Sequence, residues 1–117
     1  LFKLSILDVK LLRDVFTAIS TLIDEGTFNI SPEGIKLRSM DPSRVAMVDF
    51  SMQKSAFDEY VADQDAKVCV NLSELLKLLK RAKRDETLEI RLDESASQLI
   101  VVIRGKYTRT FRMPTLE

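Results

Sequence analysis

The stretch Lys67-Val68-Cys69-Val70-Asn71-Leu72-Ser73-Glu74-Leu75-Leu76-Lys77-Leu78-Leu79-Lys80-Arg81-Ala82-Lys83-Arg84 decides how this chain is organised. Its first residues read as a short strand. Asn71 to Glu74 has the form of a capping box, with Asn71 accepting from the backbone and Glu74 reaching back. Leu72, Leu75, Leu76 and Leu79 then fall at i, i+3, i+4 and i+7, so a helix with one apolar stripe is expected over 72–84. Strands are expected at 87–92, 99–104 and 107–113, separated by turn chemistry at 93–97 and by Gly105. The order is strand, helix, three strands.

The same order stands upstream. Phe2-Lys3-Leu4-Ser5-Ile6 alternates as a half-buried strand does, and Asp8 is a good N-cap. Leu12, Val15, Phe16, Ile19, Leu22 and Ile23 make an apolar stripe, so a helix is expected over 9–23, with Gly26 as its stop signal. Strands are expected at 27–31, 35–40 and 45–52, broken by Ser31-Pro32-Glu33-Gly34 and Asp41-Pro42-Ser43. A weaker strand candidate covers 57–62 and ends at Asp63-Gln64-Asp65. The repeat lies in the order of elements rather than in residue identity. An α+β fold follows, with largely antiparallel sheets because the strand connections are short, and both helices on one side. No linker composition interrupts residues 1–117, so a single domain is expected.

Composition narrows the function. The chain has 117 residues, 45% hydrophobic and 31% charged, the balance of a soluble globular domain with a real core. No apolar run approaches the roughly 18 residues of a membrane span, and no signal peptide opens the chain. One cysteine and no histidine remove an intrachain disulfide, His-based triads and His metal sites, and favour a reducing compartment. Lys plus Arg total 18 and Asp plus Glu total 18, so any charge-driven function must come from local segregation.

That segregation is sharpest on the second helix. Lys77, Lys80, Arg81 and Arg84 repeat the spacing of the leucines about a third of a turn away, with Lys83 nearby and Glu74 opposing. The stripe is either a dipole-matched solvated helix end or a phosphate-facing surface without base readout. On the first helix Lys10 and Arg13 share a polar face with Thr17 and Ser20, which matters only if both polar faces point the same way. Around Asp41-Pro42-Ser43, the residues Met40, Arg44, Val45 and Met47 are either core and turn or the lining of an adaptable hydrophobic groove. Tyr107, Thr108, Arg109, Thr110, Phe111, Arg112 and Met113 alternate as the last strand, either interior or a sheet edge open to another chain. Enzyme signals are poor: no glycine-rich phosphate loop is present, and the carboxylate pairs sit at turns or helix ends. No catalytic residue, metal or cofactor is expected, and Cys69 reads as an inert thiol.

Gly34-Ile35-Lys36-Leu37-Arg38-Ser39-Met40-Asp41-Pro42-Ser43-Arg44-Val45 resembles the G-[IV]-x-L-x-[SA]-M-D-x-S-x-V segment of the archaeal and eukaryotic sliding-clamp family, proliferating cell nuclear antigen. Leu22-Ile23-Asp24-Glu25 is similar to the end of that family's first helix. Val70-Asn71-Leu72 with Leu78-Leu79-Lys80-Arg81 resembles its second helix, and Thr108-Arg109-Thr110-Phe111 the last strand of its archaeal form. The likeness runs over nearly the whole chain.

The resemblance implies a DNA-clamp fold of two βαβββ repeats, and the first of two domains of a subunit whose connector would begin at Glu117. It implies a DNA polymerase processivity factor, active in replication and repair, in a trimeric ring around double-stranded DNA. Lys10, Arg13, Lys77, Lys80 and Arg81, extended by Arg84, fall where the family faces the duplex. Met40, Arg44, Val45 and Met47 match this domain's share of a groove for clamp-binding peptides of polymerase, ligase, nuclease and clamp loader. The strand from Tyr107 to Met113 corresponds to the edge that pairs with the next subunit. A cytoplasmic, nucleoid-associated location in an archaeal cell is implied, or a nuclear one in a eukaryote. A generic protein-interaction domain, and a heterotrimeric or checkpoint clamp subunit, are the competing readings.

Overall fold

The two halves of the chain exchange their first strands. In the computed structural model, which describes residues 1–116, the order is β1 (Phe2–Ile6), α1 (Val9–Ser20), β2 (Glu25–Ser31), β3 (Gly34–Met40), β4 (Met47–Gln53), a 3-10 turn (Lys54–Ala56), β5 (Glu59–Ala62), β6 (Ala66–Asn71), α2 (Leu72–Leu79), β7 (Thr87–Asp93), β8 (Gln98–Arg104) and β9 (Thr108–Pro114). One sheet runs β5-β1-β7-β8-β9 and the other β4-β3-β2-β6. Strand β1 therefore joins the three strands of the second half, in register Leu4↔Ile90, and β6 joins those of the first, in register Phe28↔Val68. All pairings are antiparallel. The fold is the expected α+β arrangement of two βαβββ repeats, with β5 added at an edge.

The apolar stripes explain the layering. Leu12, Phe16 and Ile19 of α1 and Leu72, Leu75 and Leu79 of α2 are buried with Phe28, Leu37, Val70, Leu88, Val101 and Ile103 in one core. Each such side chain contributes about 1.5–3 kcal/mol on leaving water. The Phe16 ring lies 5.6 Å from Phe28 and 6.0 Å from Phe50. The Tyr60 hydroxyl donates to the Ser31 carbonyl at 2.6 Å and so ties β5 of one sheet to β2 of the other; burial pushes this phenol's pKa up.

The outer face of the five-stranded sheet is a second, smaller buried layer. Ile100 and Val102 are buried although they alternate with the core residues of β8, and the buried Glu89 lies opposite Val102. Glu89 draws Lys3 at 3.7 Å, Arg104 at 3.5 Å and Arg91 at 3.0 Å. The Arg91 Nε is close to the carboxylate without the alignment of a hydrogen bond. The stems of these long side chains shield apolar surface while their charges pair.

Several boundaries differ from expectation. Helix α1 stops at Ser20 rather than 23. Thr17, Ser20 and Thr21 turn their hydroxyls onto the carbonyls of Arg13, Thr17 and Ala18, which favours bending away from the helix. Gly26 is no stop signal but lies inside β2, where an added Cβ would sit 2.9 Å from the Leu37 side chain. Only half of the capping box forms: Asn71 Oδ1 accepts from the Glu74 N–H at 3.0 Å, while the Glu74 carboxylate turns to Lys77. Helix α2 ends at Leu79, five residues early. Arg81 and Ala82 donate to the carbonyls of Leu78 and Leu79, and the Lys83 N–H goes to Glu86 instead of a helix carbonyl. Crowded like charges at this end oppose further helix. Strand β4 starts at Met47, because Asp41 holds 45 and 46 in a loop. Tyr107 lies before β9 and is 78% exposed.

Candidate nucleic-acid interface and docking ledge

Helix α1 packs beside α2, and each buries its apolar stripe in the common core, so their polar faces share one side of the molecule. Lys10 is exposed and Arg13 half-exposed on the first turns of α1, where the Asp8 carboxylate caps the Leu11 N–H at 3.2 Å. Lys77 is exposed on α2 and Lys80 is its C-cap residue, also exposed. Arg81 lies in the turn that follows, and Arg84 beyond it. The expected single helical stripe of four cations is thus replaced by one helical cation and an irregular cationic turn.

The turn divides the cations. Lys10 pairs with Asp14 at 2.7 Å and Lys77 with Glu74 at 3.4 Å. The Arg81 guanidinium lies over the Phe111 ring, 5.2 Å from its centroid, and so leans toward β9. Lys77, Arg81 and Arg112 line a groove between α2 and β9. Lys10, Arg13, Lys83 and Arg84 line a different cleft, of ≈ 540 Å³, between the start of α1 and the chain leaving α2.

Glu86, which the sequence did not single out, fixes this turn. Its buried carboxylate accepts from the Lys83 N–H at 2.8 Å and from Arg109 at 2.7 Å, and Arg109 also donates to the Arg81 carbonyl at 3.3 Å. The Lys83 N–H, aided by Arg109 and against the effect of burial, holds the Glu86 carboxyl below the usual carboxylate range. Gly105 leaves room for it, since a Cβ there would lie 2.7 Å from Glu86 Oε2. The sequence does not mark Glu86, because its charged partner Arg109 comes from 23 residues away.

The Asp41 loop is built for display. Asp41 Oδ1 accepts from the N–H groups of Val45 and Ala46 at 3.0 and 3.1 Å, and Oδ2 from the Ser43 hydroxyl at 2.7 Å. These bonds, the Ser43 hydroxyl first, hold its carboxyl below the usual range. Arg44 takes the left-handed backbone with φ 61°. Met40, Met47 and above all Val45, 87% accessible, remain exposed, which excludes their reading as core. At the other end, β9 is the outermost strand of its sheet, with Thr108, Thr110 and Arg112 exposed, Arg109 and Phe111 half-buried and Met113 buried. Among the described residues no cluster of three His, Cys, Asp or Glu side chains is placed to hold a metal.

The family model described as "Proliferating cell nuclear antigen, N-terminal domain" matches residues 1–115. The chain belongs to the PCNA N-terminal domain family. A "DNA polymerase sliding clamp" from Thermofilum pendens is 37% identical over 110 residues, covering 94% of this chain and 44% of that protein. The clamp of the same description from Pyrococcus horikoshii is 37% identical over 116 residues, covering 99% and 46%. The crystal structure of PCNA from Thermococcus kodakaraensis superposes with a TM-score of 0.95 at 26% identity, over 100% of this chain and 47% of that one. The PCNA2–PCNA3 complex of Sulfolobus tokodaii gives 0.93 at 28%, over 98% and 46%. This PCNA-family chain thus spans a little under half the length of these relatives. Among the described residues no helix is long and apolar enough to cross a membrane.

Proposed function

We propose that this chain is the N-terminal domain of a sliding clamp subunit, a non-catalytic processivity factor of archaeal type working in the cytoplasm. The observation that carries the reading is the pair of side-by-side helices with Lys10, Arg13, Lys77 and Lys80 on their common polar side. A neutral chain with cations gathered on one side attracts phosphates through diffuse, salt-sensitive forces, which hold a duplex without stopping it from sliding. Closure of the ring, not affinity, supplies the hold. Arg81 and Arg84 belong to the same surface, though their positions off the helix give them different parts in it.

The exposed ledge of Met40, Arg44, Val45 and Met47 is this domain's contribution to a groove for short hydrophobic peptides of client enzymes. The free edge from Thr108 to Met113, with Tyr107 at its approach, pairs with another clamp subunit by continuing the sheet. The test is a full-length clamp carrying this domain with Lys77, Lys80 and Arg81 replaced by Ala. Primer-extension length per binding event on long templates should fall while ring assembly is kept. Unchanged extension would leave only a protein-interaction domain with a solubilising basic helix.

A further inference from the structure

The core has a void where the two sheets meet. Its volume is ≈ 40 Å³, and its walls are eleven apolar residues, every one of them buried. Both sheets and both helices contribute: Phe2 and Ile90 from the five-stranded sheet, Phe28 and Val68 from the four-stranded one, Phe16 from α1 and Leu75 from α2. No polar atom of the described residues is exposed on its surface. The walls are held apart. The registers Leu4↔Ile90 and Phe28↔Val68 fix the strands, the Phe2 ring stands edge-on to Tyr60, and Phe16 is held between Phe28 and Phe50. Ile30, Val68, Val70 and Ile90 are β-branched and stiff at χ1, so they do not swing in to fill the space. Wall atoms that face the void forgo dispersion contacts on that side.

We infer that this void is a binding site for one small apolar solute, of the class of xenon or a diatomic gas. At ≈ 40 Å³ it exceeds the roughly 10–15 Å³ that one water needs, so size does not keep water out. Chemistry does: a water there would find no hydrogen-bond partner, and purely apolar cavities stay dry. The void also falls well short of the about 150 Å³ of a cavity that admits benzene, which limits the occupant to a single small atom or molecule. Such a solute regains the missing dispersion contacts and displaces no ordered water, which gives binding a favourable enthalpy. None of the wall residues belongs to the cationic side, the Asp41 loop or β9, so occupancy of the void is separate from the clamp reading.

The test uses the 117-residue chain with isotope-labelled methyl groups, titrated with xenon dissolved under gas pressure and followed by NMR. Saturable methyl shifts should appear at Ile30, Val68, Val70, Leu75 and Ile90, and not at the exposed Leu11 and Val45. V68I places one more carbon in the void and should abolish the shifts. The same variant should lose less stability under hydrostatic pressure than the parent, because less void volume disappears when it unfolds. I90V removes a wall carbon and should bind xenon more tightly. The site is wrong if the parent shows no saturable shift, or if Leu11 and Val45 respond as strongly as the wall methyls. Parent-like shifts in V68I would also overturn it. Should V68I fail to fold, I90V decides: xenon affinity equal to the parent's, or weaker, overturns the assignment.

Discussion

The two halves share one order of elements but finish their last hairpins in opposite ways. In the first half, the connection from β3 to β4 is the Asp41 loop, which satisfies its own backbone and displays Val45. In the second, the connection from β8 to β9 runs through Gly105, which is pressed against Glu86, and Glu86 in turn holds the cationic turn after α2. One connecting loop bonds within itself, and the other is stitched into the turn after α2. The difference shows how a duplicated architecture separates a surface for docking from a surface that must keep its charges in place.

The comparison presumes that the halves are one cooperative unit, because each lends its first strand to the other's sheet. Leu12 of α1 and Leu79 of α2 are both almost wholly buried, so L12A and L79A should each cost about 2–5 kcal/mol. Both should shift a single unfolding transition read by circular dichroism and by tryptophan-free fluorescence of Tyr60 and Tyr107 alike. Two separable transitions, one moved by each variant, would break the picture of interlocked halves.

Next in size is the stitch itself. E86Q keeps the shape but removes the charge that Arg109 faces at 2.7 Å, and it should lower the melting temperature at neutral pH. The folded state holds the Glu86 carboxyl below its ordinary unfolded value. Its contribution is therefore fully present above that value and lost as pH falls through the lower folded one. The gap between parent and E86Q should close on acidification. A gap that persists at pH 2 would mean that packing against Gly105, not charge, accounts for the stitch.

Much of this was readable in the sequence, and the misses have a common cause. The leucine stripes at helical spacing, the Asp8 and Asn71 caps and the Pro and Gly turns are local signals, and the strands and helices they mark are present. The periodicity of α2 continues to Arg84, whereas the stop comes from Glu86 and Arg109, the latter 23 residues beyond Glu86. Exposure of Met40, Val45 and Met47 was equally hidden, since a methionine beside a turn reads the same whether covered or bare. The strand exchange between the sheets depends on pairing between distant segments, which periodicity does not encode.

The smallest effect on stability should come from the self-bonded Asp41 loop, and there the change should be in order and binding instead. In D41A the N–H groups of Val45 and Ala46 and the Ser43 hydroxyl lose their acceptor; the Val45 N–H and the Ser43 hydroxyl lie where water replaces it, and only the Ala46 N–H is part-buried. Hydrogen exchange at 45 and 46 should quicken by an order of magnitude or more, with α1, α2 and β9 unaffected. V45A removes an exposed side chain, so its stability should stay within about 0.5 kcal/mol of the parent. In a full-length clamp carrying this domain, both variants should weaken capture of a hydrophobic client peptide, D41A by spreading the loop over many conformations and V45A by removing contact area. If D41A quickens exchange yet leaves peptide affinity unchanged, the loop's built-in order serves the fold of the hairpin alone, and the contrast between a displayed and a stitched connection loses its functional half.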